Sequence, residues 1–319
     1  EDGIVMAGIK AVEAMVPAEV GLAIADATGI GTNRRDPRGP SDLEVPVLVA
    51  RALETGSPIA CMLICSMHPT VLHEDSTLVS GDFPGMARQY LKKSILGSSC
   101  PVVYHTGPEG NQSPRHVTKG NTFAEAKRLG EILGRAVETA IGSISFRREL
   151  ALSCAWRLVD LPKKAFPEPA AAERRLDEVL VRFEGLKAEG APATEIRTAE
   201  CDWFGAEETL TLARSYGHPD IEPYYQACLP AEIQAFGIGE WTFVGWPGEV
   251  FIEYALELKS RHPSTYIANL ANGELQGYIV TEGAAREGGY EASNAMFDYR
   301  SGKILVDSTS ELLNGRSRG

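Results

Sequence analysis

A chain of 319 residues, 44% hydrophobic and 23% charged, has the composition of an ordinary globular protein of one large domain or two. Its net charge of −12 argues against a surface for nucleic acid or anionic membrane, because both require clustered Lys and Arg. The longest apolar run, residues 58–67, is too short to cross a bilayer, so no transmembrane segment is predicted. The six cysteines lack paired or regular spacing, which argues against a disulfide framework or a cysteine zinc site.

Helical and strand-like patterns alternate along the chain. An amphipathic helix is predicted at the start, where Val5, Ile9, Val12 and Val16 recur at helical spacing before Pro17. The other predicted elements are strands at 47–52, 59–67, 101–104, 148–160, 233–238, 241–245 and 266–270, and helices at 123–141, 169–188 and 249–260. This alternation is typical of an α/β fold.

Two short turn signals predict hairpins, Glu54-Thr55-Gly56 after the first of these strands and Gly239-Glu240 between 233–238 and 241–245. The most polar stretch, 162–220, carries the least site chemistry. We predict that it forms a helical insertion or a lid over the core.

Polar side chains follow the apolar runs, where functional groups concentrate on a rigid scaffold, and the loop after the strand at 266–270 is predicted to carry Tyr278 and Tyr290. In chain order they are His68, Ser113, Glu249, Tyr278 and Tyr290. A histidine, a carboxylate, a hydroxyl in a Gly-rich turn and two tyrosines are components of a metal-assisted acyl-transfer site. Each also fits a structural role by itself, such as a strand-capping histidine or an acid favoured in the first turn of a helix.

The order and the local motifs of these residues resemble the catalytic domain of the neutral/alkaline, non-lysosomal ceramidase family. The resemblance covers nearly the whole chain and is strongest in 56–116 and 237–292. The motifs that carry it are His68-Pro69 with Ser80-Gly81-Asp82 downstream, Gly110-Asn111-Gln112-Ser113-Pro114, Pro247-Gly248-Glu249, Gly277-Tyr278 and Gly288-Gly289-Tyr290.

The resemblance implies an α/β fold in which mixed β-sheets are flanked by helices and residues 1–319 form a catalytic domain. It further implies a short bacterial-type member without the family's N-terminal segment and without its C-terminal immunoglobulin-like domain. The implied cofactor is zinc, held by His68, Glu249, Tyr278 and a histidine expected upstream of Glu1. His73 is a weaker alternative to His68. With one ligand upstream, the 319-residue chain is expected to bind zinc poorly.

The resemblance also assigns catalytic roles to Ser113, Tyr290 and Arg34, with Asn33 as the companion of Arg34. One position departs from the family pattern Gly-Asp-x-Ser-Pro, because Asn111 stands where the family has Asp. Asparagine keeps the size and one acceptor oxygen of aspartate but loses its negative charge. The departure therefore bears on how Ser113 is oriented.

The function implied is a zinc-dependent amidohydrolase that cleaves the N-acyl bond of ceramide or a related N-acyl amide, with zinc-activated water favoured as the nucleophile. The implied partner is an N-acyl amide or lipid substrate, and no nucleic acid. Two alternatives remain open. One is a metal-independent serine hydrolase that uses Ser113 with His105 or His116 as base, and the other is a non-catalytic ceramidase-like binding protein. Family members are often secreted or extracytoplasmic, but the sequence itself assigns no location.

Overall fold

The computed structural model describes residues 2–73, 76–216 and 221–316. The α-helices are α1 (Asp2–Glu13), α2 (Asp82–Leu91), α3 (Phe123–Ile141), α4 (Pro169–Glu189), α5 (Ala193–Ser215), α6 (Glu222–Cys228), α7 (Ile252–Arg261), α8 (Glu282–Glu287), α9 (Tyr290–Asn294) and α10 (Arg300–Arg316). A π-helical turn covers Lys92–Leu96 and a 3-10 turn covers Pro114–His116.

The strands fall into two four-stranded sheets and two short pairs. They are β1 (Ala18–Asp26), β2 (Thr32–Asn33), β3 (Glu44–Ala52), β4 (Pro58–Cys65), β5 (Val102–Thr106), β6 (Gln112–Ser113), β7 (Leu152–Val159), β8 (Ala231–Ile238), β9 (Trp241–Gly245), β10 (Gly248–Val250), β11 (Thr265–Ala268) and β12 (Leu275–Ile279). The pairs are β2 with β6 and β10 with β12.

The first sheet has the order β1-β3-β4-β5, and only its β4/β5 contact is parallel. Because side chains alternate between the two faces of a strand, Val47 and Leu63 turn to one face. They are fully buried there with Leu129 of α3. Helices α2 and α3 pack against each other over this face.

The second sheet has the order β11-β9-β8-β7, in which β9 and β11 are parallel. Ile233 and Val244 are buried on one of its faces with Leu258 of α7 and Leu305 of α10. The opposite face presents Phe243 and other aromatic side chains to the first sheet.

The two sheets pack face to face, so the core has four layers in the order helices, sheet, sheet, helices. Ile64 of β4 shares an apolar cluster with Trp241, Phe243 and Tyr266 of the second sheet. Beside this interface the backbone N–H of Asn269, just after β11, donates to the carbonyl of Thr106 at the end of β5 (2.9 Å). The carboxyl ends of the two parallel strand pairs therefore meet at one end of the sandwich, where sites in α/β proteins concentrate.

The predicted α/β class with mixed sheets flanked by helices is confirmed, as are both hairpins. Two local predictions are wrong. Glu249 lies in β10 and does not open a helix, since α7 begins at Ile252. The loop predicted to carry the two tyrosines is also wrong, since Tyr278 lies in β12 and Tyr290 begins α9. Strand β10 has three residues and β12 has five, and the two are distant in sequence. Neither strand is therefore long enough to show the alternation of apolar and polar residues that predicts a strand.

The polar stretch 162–220 contains the long helices α4 and α5, which pack against each other, while α5 also contacts α9. Helix α5 was not predicted. Helix α1 forms where the sequence predicted it, yet none of its residues is buried. Among the described residues, no helix combines the length and apolar character that crossing a membrane requires.

Candidate metal centre

His68 lies three residues beyond β4, and backbone carbonyls fix the orientation of its ring. Its Nδ1 lies 2.7 Å from the carbonyl oxygen of Glu109 and 3.0 Å from that of Gln112. Carbonyl oxygens only accept, so Nδ1 carries the proton and donates. The lone pair of Nε2 is then left for a cation, which is the arrangement found in metal-bound histidines.

Nε2 of His68 faces a carboxylate. Glu249 Oε1 lies 3.0 Å away, which brings two acceptor atoms together unless a proton or a cation lies between them. The parallel pairing of β10 with β12 places Glu249 opposite Tyr278, and the Tyr278 ring centroid lies 6.2 Å from that of His68. Three of the residues assigned to the metal from the resemblance therefore share one neighbourhood.

A second carboxyl group, Glu109, was not singled out from the sequence. Its side chain is 1% exposed, and its Oε2 accepts a hydrogen bond from Asn269 Nδ2 (2.9 Å). One ligand atom each from His68, Glu109 and Glu249 lie within 4.8 Å of one another, so the three residues can hold a metal ion. Burial, and then the negative charge of Glu249, raise the pKa of Glu109 well above its ordinary range.

Arg34 lies over the two tyrosines beside this group. Its guanidinium carbon is 5.2 Å from the Tyr278 ring centroid and 5.9 Å from that of Tyr290. Its Nε lies 2.8 Å from Glu291 Oε1, and its Nη2 donates to the carbonyl of Gly110 (2.8 Å). The side chain is thus fixed from three sides.

Neighbouring charges and burial shift the pKa values of Tyr278, Tyr290 and Glu291 in opposite directions. Burial raises the pKa of both the Tyr278 and the Tyr290 hydroxyl, although Arg34 opposes the shift. Burial also opposes ionisation of Glu291, but the charge of Arg34 and Arg35 outweighs it and holds the pKa of Glu291 below its usual value. The two tyrosines therefore stay neutral donors at ordinary pH, while Glu291 stays charged.

Ser113 lies in the adjoining loop and is 2% exposed. It is the last residue of β6, opposite Thr32, and its Oγ accepts a hydrogen bond from the backbone N–H of Arg115 (3.2 Å). Among the described residues, no histidine is hydrogen-bonded to Ser113 Oγ. The serine therefore caps the 3-10 turn at Pro114–His116.

The contacts of Asn111 account for the presence of asparagine where the family pattern has aspartate. Its Nδ2 donates to Glu253 Oε2 (2.8 Å), and its Oδ1 accepts from the backbone N–H of Ile252 (3.0 Å). Aspartate at this position would set two carboxylates against each other, so the amide suits Glu253. Gly110 is needed beside it, because a Cβ there would lie 2.8 Å from the Glu249 carbonyl oxygen.

The remaining candidates lie outside this centre. Asn33 shapes its own loop, donating from Nδ2 to the Pro40 carbonyl (3.0 Å). His116 Nε2 lies 3.2 Å from the Arg34 carbonyl, and His73 Nδ1 lies 2.9 Å from Asn121 Nδ2. His105 is a residue of β5, and burial lowers its pKa.

No protein-family model matches the chain, and no curated protein matches it. Solved structures do match. Neutral ceramidase from Pseudomonas aeruginosa aligns with a TM-score of 0.69 at 17% sequence identity, covering 98% of this chain and 54% of that one. A ceramidase complexed with C2 aligns with a TM-score of 0.70 at 16% identity, covering 99% and 56%. The chain has the neutral ceramidase fold.

The match confirms at the level of the fold what the motifs indicated, and it extends over nearly all of this chain. The chain spans about half the length of these ceramidases. Glu109, Asn269 and Glu291 are the residues of the centre that sequence reasoning missed. Glu109 did carry one usable signal, since it follows the strand predicted at 101–104 in the same loop as Ser113.

Proposed function

We propose that the protein is a metal-dependent amidohydrolase that cleaves the N-acyl bond of ceramide or a related N-acyl amide to a fatty acid and an amine. The observation that supports it most is the approach of His68 Nε2 to Glu249 Oε1 at 3.0 Å, at the carboxyl ends of strands in a neutral ceramidase fold. The structures with that fold are described as ceramidases.

The proposed metal is zinc, with His68, Glu249 and Tyr278 as ligands. The donor set fits a divalent cation, because the two facing acceptors need a positive charge between them and Glu109 Oε1 is buried without a hydrogen-bond partner. When bound, such an ion acts as a Lewis acid towards the acyl carbonyl and lowers the pKa of water.

The chain's own groups supply the rest of the site. In this proposal the Arg34 guanidinium and the Tyr290 hydroxyl stabilise the oxyanion that forms when the amide carbonyl is attacked, and the proximity of Arg34 to the Tyr290 ring, 5.9 Å to its centroid, supports this pairing. Glu291 holds Arg34 in position from the far side. Water is the nucleophile in this proposal, because Ser113 is buried and no histidine base is bonded to it among the described residues.

The test is hydrolysis of a fluorescent short-chain ceramide and of a simple N-acyl amine by the purified chain. We expect turnover that a chelator abolishes and added Zn²⁺ restores, and that His68→Ala removes. His262→Ala is the matched control, since its ring bonds Ser310 Oγ in another part of the fold (2.7 Å). Turnover that resists the chelator would instead support a serine hydrolase. Binding without turnover would support a non-catalytic protein.

A further inference from the structure

The His68–Glu249 contact leaves room for another ligand. Zinc–ligand bonds of about 2 Å place neighbouring ligand atoms about 3–4 Å apart. The 3.0 Å between His68 Nε2 and Glu249 Oε1 already has that spacing. With Tyr278, proposed above as the third ligand, the chain supplies three protein ligands, and a catalytic zinc can accept a further one when its coordination expands.

Glu109 lies beside His68 and Glu249 and has one carboxylate oxygen without a partner among the described residues. Its Oε1 is buried and has no hydrogen-bond partner among the described residues, although an unpaired buried carboxylate oxygen is costly. Together with His68 and Glu249 it forms the group whose ligand atoms are within 4.8 Å of one another. Contraction by about an ångström around an ion brings them to bonding distance.

Asn269 holds this carboxylate in a fixed orientation. Its Nδ2 donates to Glu109 Oε2 (2.9 Å), and its backbone N–H donates to the Thr106 carbonyl (2.9 Å), which anchors it to the end of β5. One oxygen of Glu109 is therefore occupied by an amide, and the other is left free. Metal-binding carboxylates are commonly oriented in this way by a neighbouring hydrogen-bond donor.

We propose that Glu109 is a protein ligand of the metal and that Asn269 is its positioning residue, so that the centre contains two carboxylates, one imidazole and the Tyr278 hydroxyl from this chain. The inference rests on the metal dependence in the proposed function and adds a residue to it. The resemblance to the ceramidase family implied three ligands within the chain and weak zinc binding. Glu109 adds a fourth.

The ligand set also affects which ion binds. Two carboxylates balance the charge of a divalent cation. Carboxylate oxygens suit Mn²⁺, whereas imidazoles suit Zn²⁺ better, so an oxygen-rich centre narrows the difference in affinity between the two ions. The chain is therefore expected to bind both Zn²⁺ and Mn²⁺.

The experiment measures the dissociation constants of Zn²⁺ and Mn²⁺ by competition with a chromogenic chelator, without any substrate. In Glu109→Gln we expect the Zn²⁺ dissociation constant to rise by at least about a hundredfold, more than the loss of an outer-shell partner usually causes. Glu253→Gln is the matched control, because Glu253 bonds Asn111 and lies outside the metal-binding group. The Zn²⁺ dissociation constant of Glu253→Gln should stay within about twofold of that of the unmodified chain.

A double-mutant cycle that combines Asn269→Ala with Glu109→Gln tests the positioning role of Asn269. Asn269→Ala should weaken Zn²⁺ binding about tenfold in the unmodified chain and have almost no effect in Glu109→Gln, because its action passes through the carboxylate. Circular dichroism of the metal-free proteins establishes that each variant is folded. If Glu109→Gln does not fold, Glu109→Asp keeps the charge, shortens the reach and should weaken binding as well.

Unchanged Zn²⁺ affinity in folded Glu109→Gln would overturn the inference and identify Glu109 as a buried neutral acid that bonds only Asn269. Failure of the unmodified chain to bind either ion would overturn it too. A different result would refute the proposed function while leaving this inference intact. A chain that binds zinc through Glu109 but hydrolyses no N-acyl amide keeps the metal centre and loses the amidohydrolase assignment.

Discussion

His68 Nε2 and Glu249 Oε1 lie 3.0 Å apart, although 181 positions separate the two residues in the chain. His68 follows a strand of the first sheet, and Glu249 follows a strand of the second. Since Nδ1 of the same ring is committed to two carbonyl oxygens, the short contact joins two lone pairs unless a proton or a cation lies between them. A cation between them removes the repulsion.

Removing the Glu249 carboxylate should remove the metal. In Glu249→Ala, one of the two closest donors is gone, so zinc content by elemental analysis and amide hydrolysis should fall together. Glu257→Ala is the control, as Glu257 pairs with Lys303 on the second helix layer. Full zinc occupancy in Glu249→Ala would show that this carboxylate is not a ligand.

Ser113→Ala should leave zinc in place and reduce turnover by about a hundred- to a thousandfold, the usual cost of losing one polar contact in an active site. The hydroxyl caps a turn and has no histidine base among the described residues, so we expect it to position groups and not to attack. A trapped acyl-Ser113 adduct in mass spectrometry would contradict this and make serine the nucleophile.

Glu291→Gln should lower kcat with little change in KM, because Arg34 acts on charge that develops in the transition state. We expect a loss of at least about tenfold, smaller than the loss of the oxyanion donor itself. Glu287→Gln is matched to it, since Glu287 bonds Arg35 but its side chain is 72% exposed. Equal kcat values in the two variants would rule out a role for Glu291 in positioning Arg34.

Gly277→Ala should destabilise the fold by about 2–5 kcal/mol, because φ is +74° there and a Cβ would overlap the Asn294 carbonyl oxygen. Gly185→Ala in α4 is the control. Its Cβ would meet nothing within 4 Å, and alanine in a helix should stabilise by about 0.5–1 kcal/mol. Urea unfolding measures both, and similar values for the two variants would refute the steric argument.

Glu125 should make the free energy of unfolding depend on pH in the acid range. Hydrogen bonds from Arg128 lower its pKa from 4.5 to about 2. The folded state therefore holds the ionised form more tightly, and this stabilisation is complete above about pH 4.5 and is lost as pH falls towards 2. The difference in unfolding free energy between the unmodified chain and Glu125→Gln should shrink over that window. A difference that stays constant from pH 6 to pH 2 would contradict the assigned pKa.

The sequence predicts well the features that repeat locally. Residues 59–67 form an uninterrupted apolar run, so both β4 and the position of His68 at its end were predicted. The turns at Gly56 and Gly239 have positive φ, which glycine adopts readily, and both hairpins were predicted from them.

Other features arise only from tertiary structure. Strand β10 has three residues and pairs with a strand that begins 25 positions after it ends, from Val250 to Leu275, so its sequence shows no alternation. Glu109 and Asn269 are 160 positions apart, and neither carries a motif. The packing of a helix face is equally non-local. The apolar residues of α1 follow the predicted spacing, yet the described residues do not bury them.

The interface between the two sheets brings together the donors of one centre. His68 follows β4 and Glu249 follows β9, so a shift of one sheet against the other would change the distance between the two donors. An ion held by both residues would link the two sheets across that interface, and its binding energy would add to the stability of the docked state. Metal affinity and the stability of the sandwich should thus vary together, so a cavity made at the sheet interface by Phe243→Ala should weaken ion binding as well as the core.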